Sequence, residues 1–240
     1  MFFFEELVKS IEVNWSFLDC FREEIEILFF AEKKIIDNSI SYIEKLEAEL
    51  NKCIKEEPEF ADSTDEEERE SLHNQYINHK YGYTENLYEQ IKQNQRKAYT
   101  LSIFSFIEGK LKYLCEHISK EFNIHLKLSK DKNISYVEKY WLFLIKDLKI
   151  EEANISEFYN NIIQVKDIRN IIAHNNSIIK KSKYSTIETT KGLGLIGGAV
   201  KTLIITDDKY VFDLLENCQS FFKELVKYIN NRHIQLKGRH

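Results

Sequence analysis

The sequence predicts an all-α protein, and three observations lead there. Glycine is scarce, seven in 240 residues, and proline occurs once, which suits long helices better than a turn-rich sheet. Apolar residues recur at three and four through most of the chain, the helix period. Ser135-Tyr-Val-Glu138 and Asn154-Ile-Ser-Glu157 both carry the pattern of a capping box, a helix start signal. The expected architecture is a helical bundle with long N-terminal helices and at most a small β-hairpin near residues 193 to 206.

Composition narrows the function. Hydrophobic residues make up 43% and charged residues 30%, the profile of an ordinary globular helical chain long enough to bury a core. A net charge of −5 and a pI near 5.9 argue against a general nucleic-acid-coating role, which needs a basic footprint. Cys20, Cys53, Cys115 and Cys218 are far apart and form no C-x-x-C pair, so neither zinc nor a disulfide framework is expected. The start, MFFFEELVKSIEV, lacks a basic leader region, and no run of 18 apolar residues exists. The expectation is a cytoplasmic protein with no membrane segment.

Residues 2 to 55 read as two or three helical segments rich in Phe, Ile and Leu, with Glu and Lys between them. Together, 1–55 form an N-terminal helical region packed on the bundle. The stretch from Glu56 to Glu70 holds nine acids, one Arg and the sole proline, so 56–72 is an acidic loop or linker. Its functional alternative is an acidic plug over a basic site. His73 and His79 are six apart without acidic partners at helical spacing, which is no metal pattern. They precede a long helix, or two nearly continuous ones, from about Thr84 to Phe122, apolar on almost every side between Ala98 and Ile118. Ser105 and Glu108 form a narrow polar stripe on it. A buried carboxylate needs a partner, and Glu108 has three outlets: Arg169, Lys112 or solvent. Residues 123 to 133 are a polar connection, and Ser135 opens a helix through about Leu148. After residue 176, the stretch 177–191 reads as a solvated polar loop or a phosphate-steering patch. Between Lys166 and Lys201 there are seven basic residues against two acids. The run Gly192 to Gly198 matches G-x-G-x-x-G, but a β-like run follows it where a dinucleotide site needs a helix. No cofactor or metal is expected. Residues 210 to 230 form a terminal helix.

One stretch concentrates chemistry: NIIQVKDIRNIIAHNN, Asn161 to Asn176. Only six arginines occur in the chain, and Arg169 lies at the edge of an isoleucine stripe, with Lys166, Asn170 and His174 on a separate arc. Arg169 and His174 sit about 140° apart on a regular helix, so the helix must end or distort at His174 for the two to share a pocket. Asn175 and Asn176 suit such an end, since Asn tolerates the left-handed conformation. Histidine can move protons near neutrality, and arginine stays charged and forks onto phosphate. Lys166, Asn175, Lys180 and Lys181 are the candidate substrate contacts around the pair.

The run Arg169-Asn170-Ile171-Ile172-Ala173-His174 resembles the R-x4-6-H signature of the HEPN superfamily, small helical domains that include many metal-independent ribonucleases of toxin–antitoxin and phage-defence systems. The long apolar helix with a central glutamate, Ser102 to Cys115, is similar to a feature such domains often show. The resemblance covers roughly residues 95 to 230, within an expected HEPN-like helical domain over 73–235. It implies a metal-independent endoribonuclease with Arg169 and His174 as catalytic residues, no cofactor and RNA as substrate. It further implies a homodimer that brings two motifs into one cleft, and an antitoxin or defence-system partner protein. Asn170 would orient the His174 ring. The tyrosine that some toxin families place two residues after the histidine is replaced by Asn176, which sets the chain apart from the subgroup silenced by adenylylation there. The alternative is a non-catalytic HEPN-like module for RNA binding, protein binding or dimerisation.

Overall fold

The computed structural model describes residues 17–58, 65–150 and 156–237. The first sixteen residues of the N-terminal region, part of the acidic stretch (59–64) and Asn154 of the second capping pattern lie outside the described residues. The elements are α1 (Phe17–Lys55), α2 (Glu66–Glu121), α3 (Tyr136–Lys146), α4 (Ser156–His174), a 3-10 turn (Lys181–Lys183), α5 (Tyr184–Thr189), β1 (Leu193–Ile196), β2 (Thr202–Ile205) and α6 (Lys209–Lys237). The all-α class holds. The predicted two or three N-terminal segments appear, over the described part, as one 39-residue helix. No glycine or proline interrupts residues 17–55, so nothing breaks the hydrogen-bond ladder before Pro58.

The chain divides into two compact units made of interleaved segments rather than consecutive ones. The first comprises residues 1–31, 107–162 and 216–240, and the second 32–106 and 163–215.

In the first unit, Leu18, Phe21, Ile25 and Phe29 form one buried stripe of α1, spaced at three and four as the period demands. Phe21 meets Phe222 of α6 edge-on at 6.0 Å, and Trp141 stacks on Tyr159 at 4.1 Å. The capping box at α3 forms as its residues predict. The Ser135 hydroxyl accepts from the Glu138 backbone N–H at 3.3 Å, and the Glu138 carboxylate accepts from the Ser135 N–H at 2.7 Å. Cys115 and Cys218 are fully buried, and burial pushes both thiols well above their ordinary range. Neither is a reactive thiolate.

In the second unit, α1 and α2 are tied side to side. Gln95 donates to the Ser39 hydroxyl at 2.9 Å, and Glu57 accepts from Lys80, Tyr81 and Tyr76. The predicted hairpin exists, with β1 and β2 antiparallel and Leu193 opposite Ile205. Its turn needs Gly197, whose φ is +103° and where a Cβ would collide with the Val200 carbonyl. A small core joins the hairpin to α4 and α5: Ile168, Ile171, Ile179, Ile187, Leu193, Leu203 and Ile205. The stretch 177–191 is therefore more than a solvated loop. It folds into the 3-10 turn and α5 because Ile179 and Ile187 are drawn into that core, leaving the lysines outside.

Candidate functional site

Helix α4 ends at His174. Asn176 and Ser177 both take left-handed backbone, with φ of +48° and +64°, and the Ser177 N–H donates to the Ile171 carbonyl at 3.0 Å. An Asn at the first of these positions lowers the cost of leaving the helix there. The exit is then pinned to the hairpin, since the Leu203 N–H donates to the Ser177 carbonyl at 2.7 Å and the Ile179 N–H to the Lys201 carbonyl at 3.0 Å. The motif's C-terminal end is thus held by backbone bonds on both sides.

At that end Arg169 and His174 meet. Arg169 Nη1 lies 2.9 Å from His174 Nε2, closing the angular gap a regular helix leaves between them. A guanidinium N–H can only donate, so Nε2 is the acceptor and the ring proton sits on Nδ1. His174 itself is exposed, and Arg169 is half-buried. The same Nη1 donates to Asn170 Oδ1 at 3.0 Å, and the guanidinium carbon sits 5.9 Å from the centre of the buried Phe104 ring. Asn170 thus bonds the arginine, where the resemblance had it orienting the histidine; its effect on His174 passes through Arg169. Among the described residues no carboxylate lies within ion-pairing distance of Arg169, so none of them compensates its positive charge. Among the described residues nothing hydrogen-bonds its Nε–H or Nη2, which leaves those donors to a ligand.

The other predicted residues are placed less tightly. Lys166 and Asn170 are half-buried on α4, about two turns and one turn before the helix end respectively, and Asn175 is exposed beside His174. Lys180 and Lys181 are exposed at the 3-10 turn, while the neighbouring Lys183 is occupied by Asp167 at 2.6 Å. Glu108 is half-buried on the part of α2 that belongs to the first unit. Among the described residues, no three His, Cys, Asp or Glu side chains gather as a metal site would require. Sequence reasoning missed Phe104, because a phenylalanine on an apolar helix looks like any other core residue.

Chemically, the pair offers a fixed cation with free donors beside an imidazole whose tautomer is set. Such an arrangement binds an oxyanion and exchanges a proton next to it. No protein-family model, no curated protein and no solved structure matches the chain.

Proposed function

We propose that the chain is a metal-independent endoribonuclease of the HEPN type, serving a toxin–antitoxin or phage-defence system. The observation that carries the reading is the 2.9 Å contact between Arg169 and an exposed His174, made by an arginine that has no carboxylate partner among the described residues. In the reaction, a base removes the proton of a ribose 2′-hydroxyl, whose oxygen attacks the adjacent phosphorus. The bond to the 5′-oxygen breaks and an acid returns a proton to that oxygen, leaving a 2′,3′-cyclic phosphate and a free 5′-hydroxyl. Arg169 stabilises the phosphorane, which carries more negative charge than the ground state. One copy supplies one histidine, and two proton transfers are needed. The active species is therefore a homodimer that apposes two motifs, its second His174 completing the acid–base pair.

A second reading, an RNA-binding module without cleavage, draws on one further feature: His174 Nε2 already accepts from Arg169 and cannot take a proton until that bond opens. One experiment separates the two. A structured RNA is incubated with wild type, Arg169→Ala and His174→Ala, with and without EDTA, and the product ends are mapped. The ribonuclease reading expects cyclic-phosphate ends, no effect of EDTA and inactivity of both folded variants. Binding without cleavage by wild type selects the module. A monomer at micromolar concentration that still cleaves refutes the two-copy site.

A further inference from the structure

Several cations around the helices of the second unit have carboxylate partners. Lys80 has Glu57, Lys92 has Glu47 and Glu89, Arg96 has Asp208, and Lys183 has Asp167. Among the described residues, half-buried Arg169 has none, and neither does half-buried Lys97 of α2. Lys97 is half-buried, and burial pushes its ammonium below the ordinary lysine value with no carboxylate acting against the shift. An isolated charge held partly out of water is destabilising. A lysine on a helix surface normally carries its head into water along its own stem.

The position of Lys97 connects it to the site. At 100° per residue, Lys97 and Phe104 lie about 20° apart on α2 and roughly 10 Å along its axis. Gln95 and Ser102, which bond Ser39 and Glu32 of α1, fall about 160° and about 140° from Lys97. Lys97 therefore faces away from α1, on the side where Phe104 underlies Arg169. Neighbouring Gln93 and Arg96 grip the Ile205 backbone, and Ile205 shares a core cluster with Ile168 and Ile171 of α4. Residues 93–104 of α2 and the second half of α4 thus converge at one place, with Lys97 inside that stretch.

We propose that Lys97 is a phosphate-binding residue of the Arg169–His174 site, taking an RNA backbone phosphate next to the one that Arg169 engages. Among the described residues neither cation has a carboxylate partner, both are half-buried, and Lys97 leaves α2 on the side where Phe104 meets the Arg169 guanidinium. An extended polyanion supplies the missing charge to both at once, with consecutive phosphates of a single strand meeting the two long side chains. This assignment rests on the ribonuclease reading and adds a substrate contact that neither the motif nor the basic segment contains.

The test uses the full chain in a His174→Ala background, so that RNA is bound without being cut. Lys97→Met keeps the aliphatic stem and removes the charge. Its affinity for a structured RNA is expected to fall about tenfold at ~0.1 M salt, with the slope of log affinity against log salt shallower by about one. The melting temperature should stay level or rise, because a desolvated charge has been removed, and Lys97→Arg should keep wild-type affinity. In the cleaving chain the same change should raise KM and leave kcat nearly untouched. Unchanged affinity and salt slope in Lys97→Met, with wild-type cleavage, overturn the assignment while the ribonuclease reading survives. A Lys97→Met protein that melts lower while Lys97→Arg fails to rescue binding makes the residue structural and also overturns it. A wild-type chain that neither binds nor cuts RNA overturns both.

Discussion

Two arginines of the second unit show opposite ways to hold a guanidinium. Arg96, 8% exposed, forks onto Asp208 at 2.7 and 3.0 Å and donates to the Ile205 carbonyl at 2.9 Å. Asp208 holds its guanidinium above the ordinary arginine value. Its charge and geometry are satisfied inside the fold, and the result is a clamp on the base of the hairpin. Arg169 is equally fixed in place, by Asn170 and by Phe104, yet among the described residues its one titratable contact is His174. A satisfied arginine stabilises, whereas one without a carboxylate among the described residues, beside a histidine, is the one proposed to bind phosphate. The contrast predicts that losing either residue does damage of a different kind.

The largest effect should be on cleavage. Arg169→Ala and His174→Ala are each expected to lower the cleavage rate by about 10²–10⁴-fold, the usual scale for removing a proton-transfer group or an oxyanion donor. Their melting temperatures should stay near wild type, since neither residue sits in an ion pair among the described residues. Arg169→Lys should fail as well, because one ammonium cannot reproduce the fork. Full activity in a folded His174→Ala protein would end the ribonuclease reading. Loss of fold in Arg169→Ala would erase the distinction from Arg96.

Asp208→Asn attacks the other arginine. It strands a buried guanidinium, and the expected cost is about 3 kcal/mol, at the lower end for a broken buried pair because the Asp208 side chain is 31% exposed. For a chain of this size that corresponds to a fall of about 6–12 °C in melting temperature. Thermal denaturation of purified Asp208→Asn checks it, and an unchanged Tm would show that the clamp carries no stability.

Gln93→Ala sharpens the same side of the comparison with a smaller effect. The Gln93 amide donates to the Ile205 carbonyl at 2.9 Å and accepts from the Ile205 N–H at 3.0 Å, standing in for a third strand at the end of β2. Removing it leaves a backbone donor without its partner, at a cost of about 2 kcal/mol. Hydrogen exchange at the Ile205 amide should accelerate, while exchange in α3 should not.

Much of this organisation was legible in the residues. The Ser135–Glu138 box, the hairpin, the terminal helix and the helix end at His174 all follow from short-range chemistry that a sequence displays directly. Long-range features were not. Arg96 and Asp208 are 112 positions apart, and nothing local to either names the other. Ile179 and Ile187 sit singly among lysines and serines, so their capture by the hairpin core leaves no periodic trace. Apolar spacing also cannot separate one 39-residue helix from two or three shorter ones when no breaker marks a joint. Within the site, Asn170 was identified, but its hydrogen bond to Arg169 was not. Both His174 and Arg169 lie within reach of a polar side chain at that position, and only coordinates decide between them.

The smallest effect concerns a third kind of cation, one paired near the surface. Lys80 shares Glu57 with Tyr81 and Tyr76, where the end of α1 meets α2. The Lys80 hydrogen bond first, and then that of Tyr81, hold the Glu57 carboxyl below the usual carboxylate range. A carboxylate depressed in the folded state contributes stability above its unfolded pKa and loses it as pH falls through the folded one. Stability from this cluster should therefore be complete at neutral pH and fade only below the ordinary glutamate range. Glu57→Gln should lower the melting temperature slightly at neutral pH and make the acid limb of the Tm–pH curve shallower, because the group that titrates there is gone. The measurement is Tm against pH for both proteins. Parallel curves over that acid range would mean that Glu57 is no more favourably placed in the folded chain than in the unfolded one. Surface pairing would then be neutral, leaving Arg96 as the case where pairing stabilises and Arg169 as the case that the cleavage assay decides.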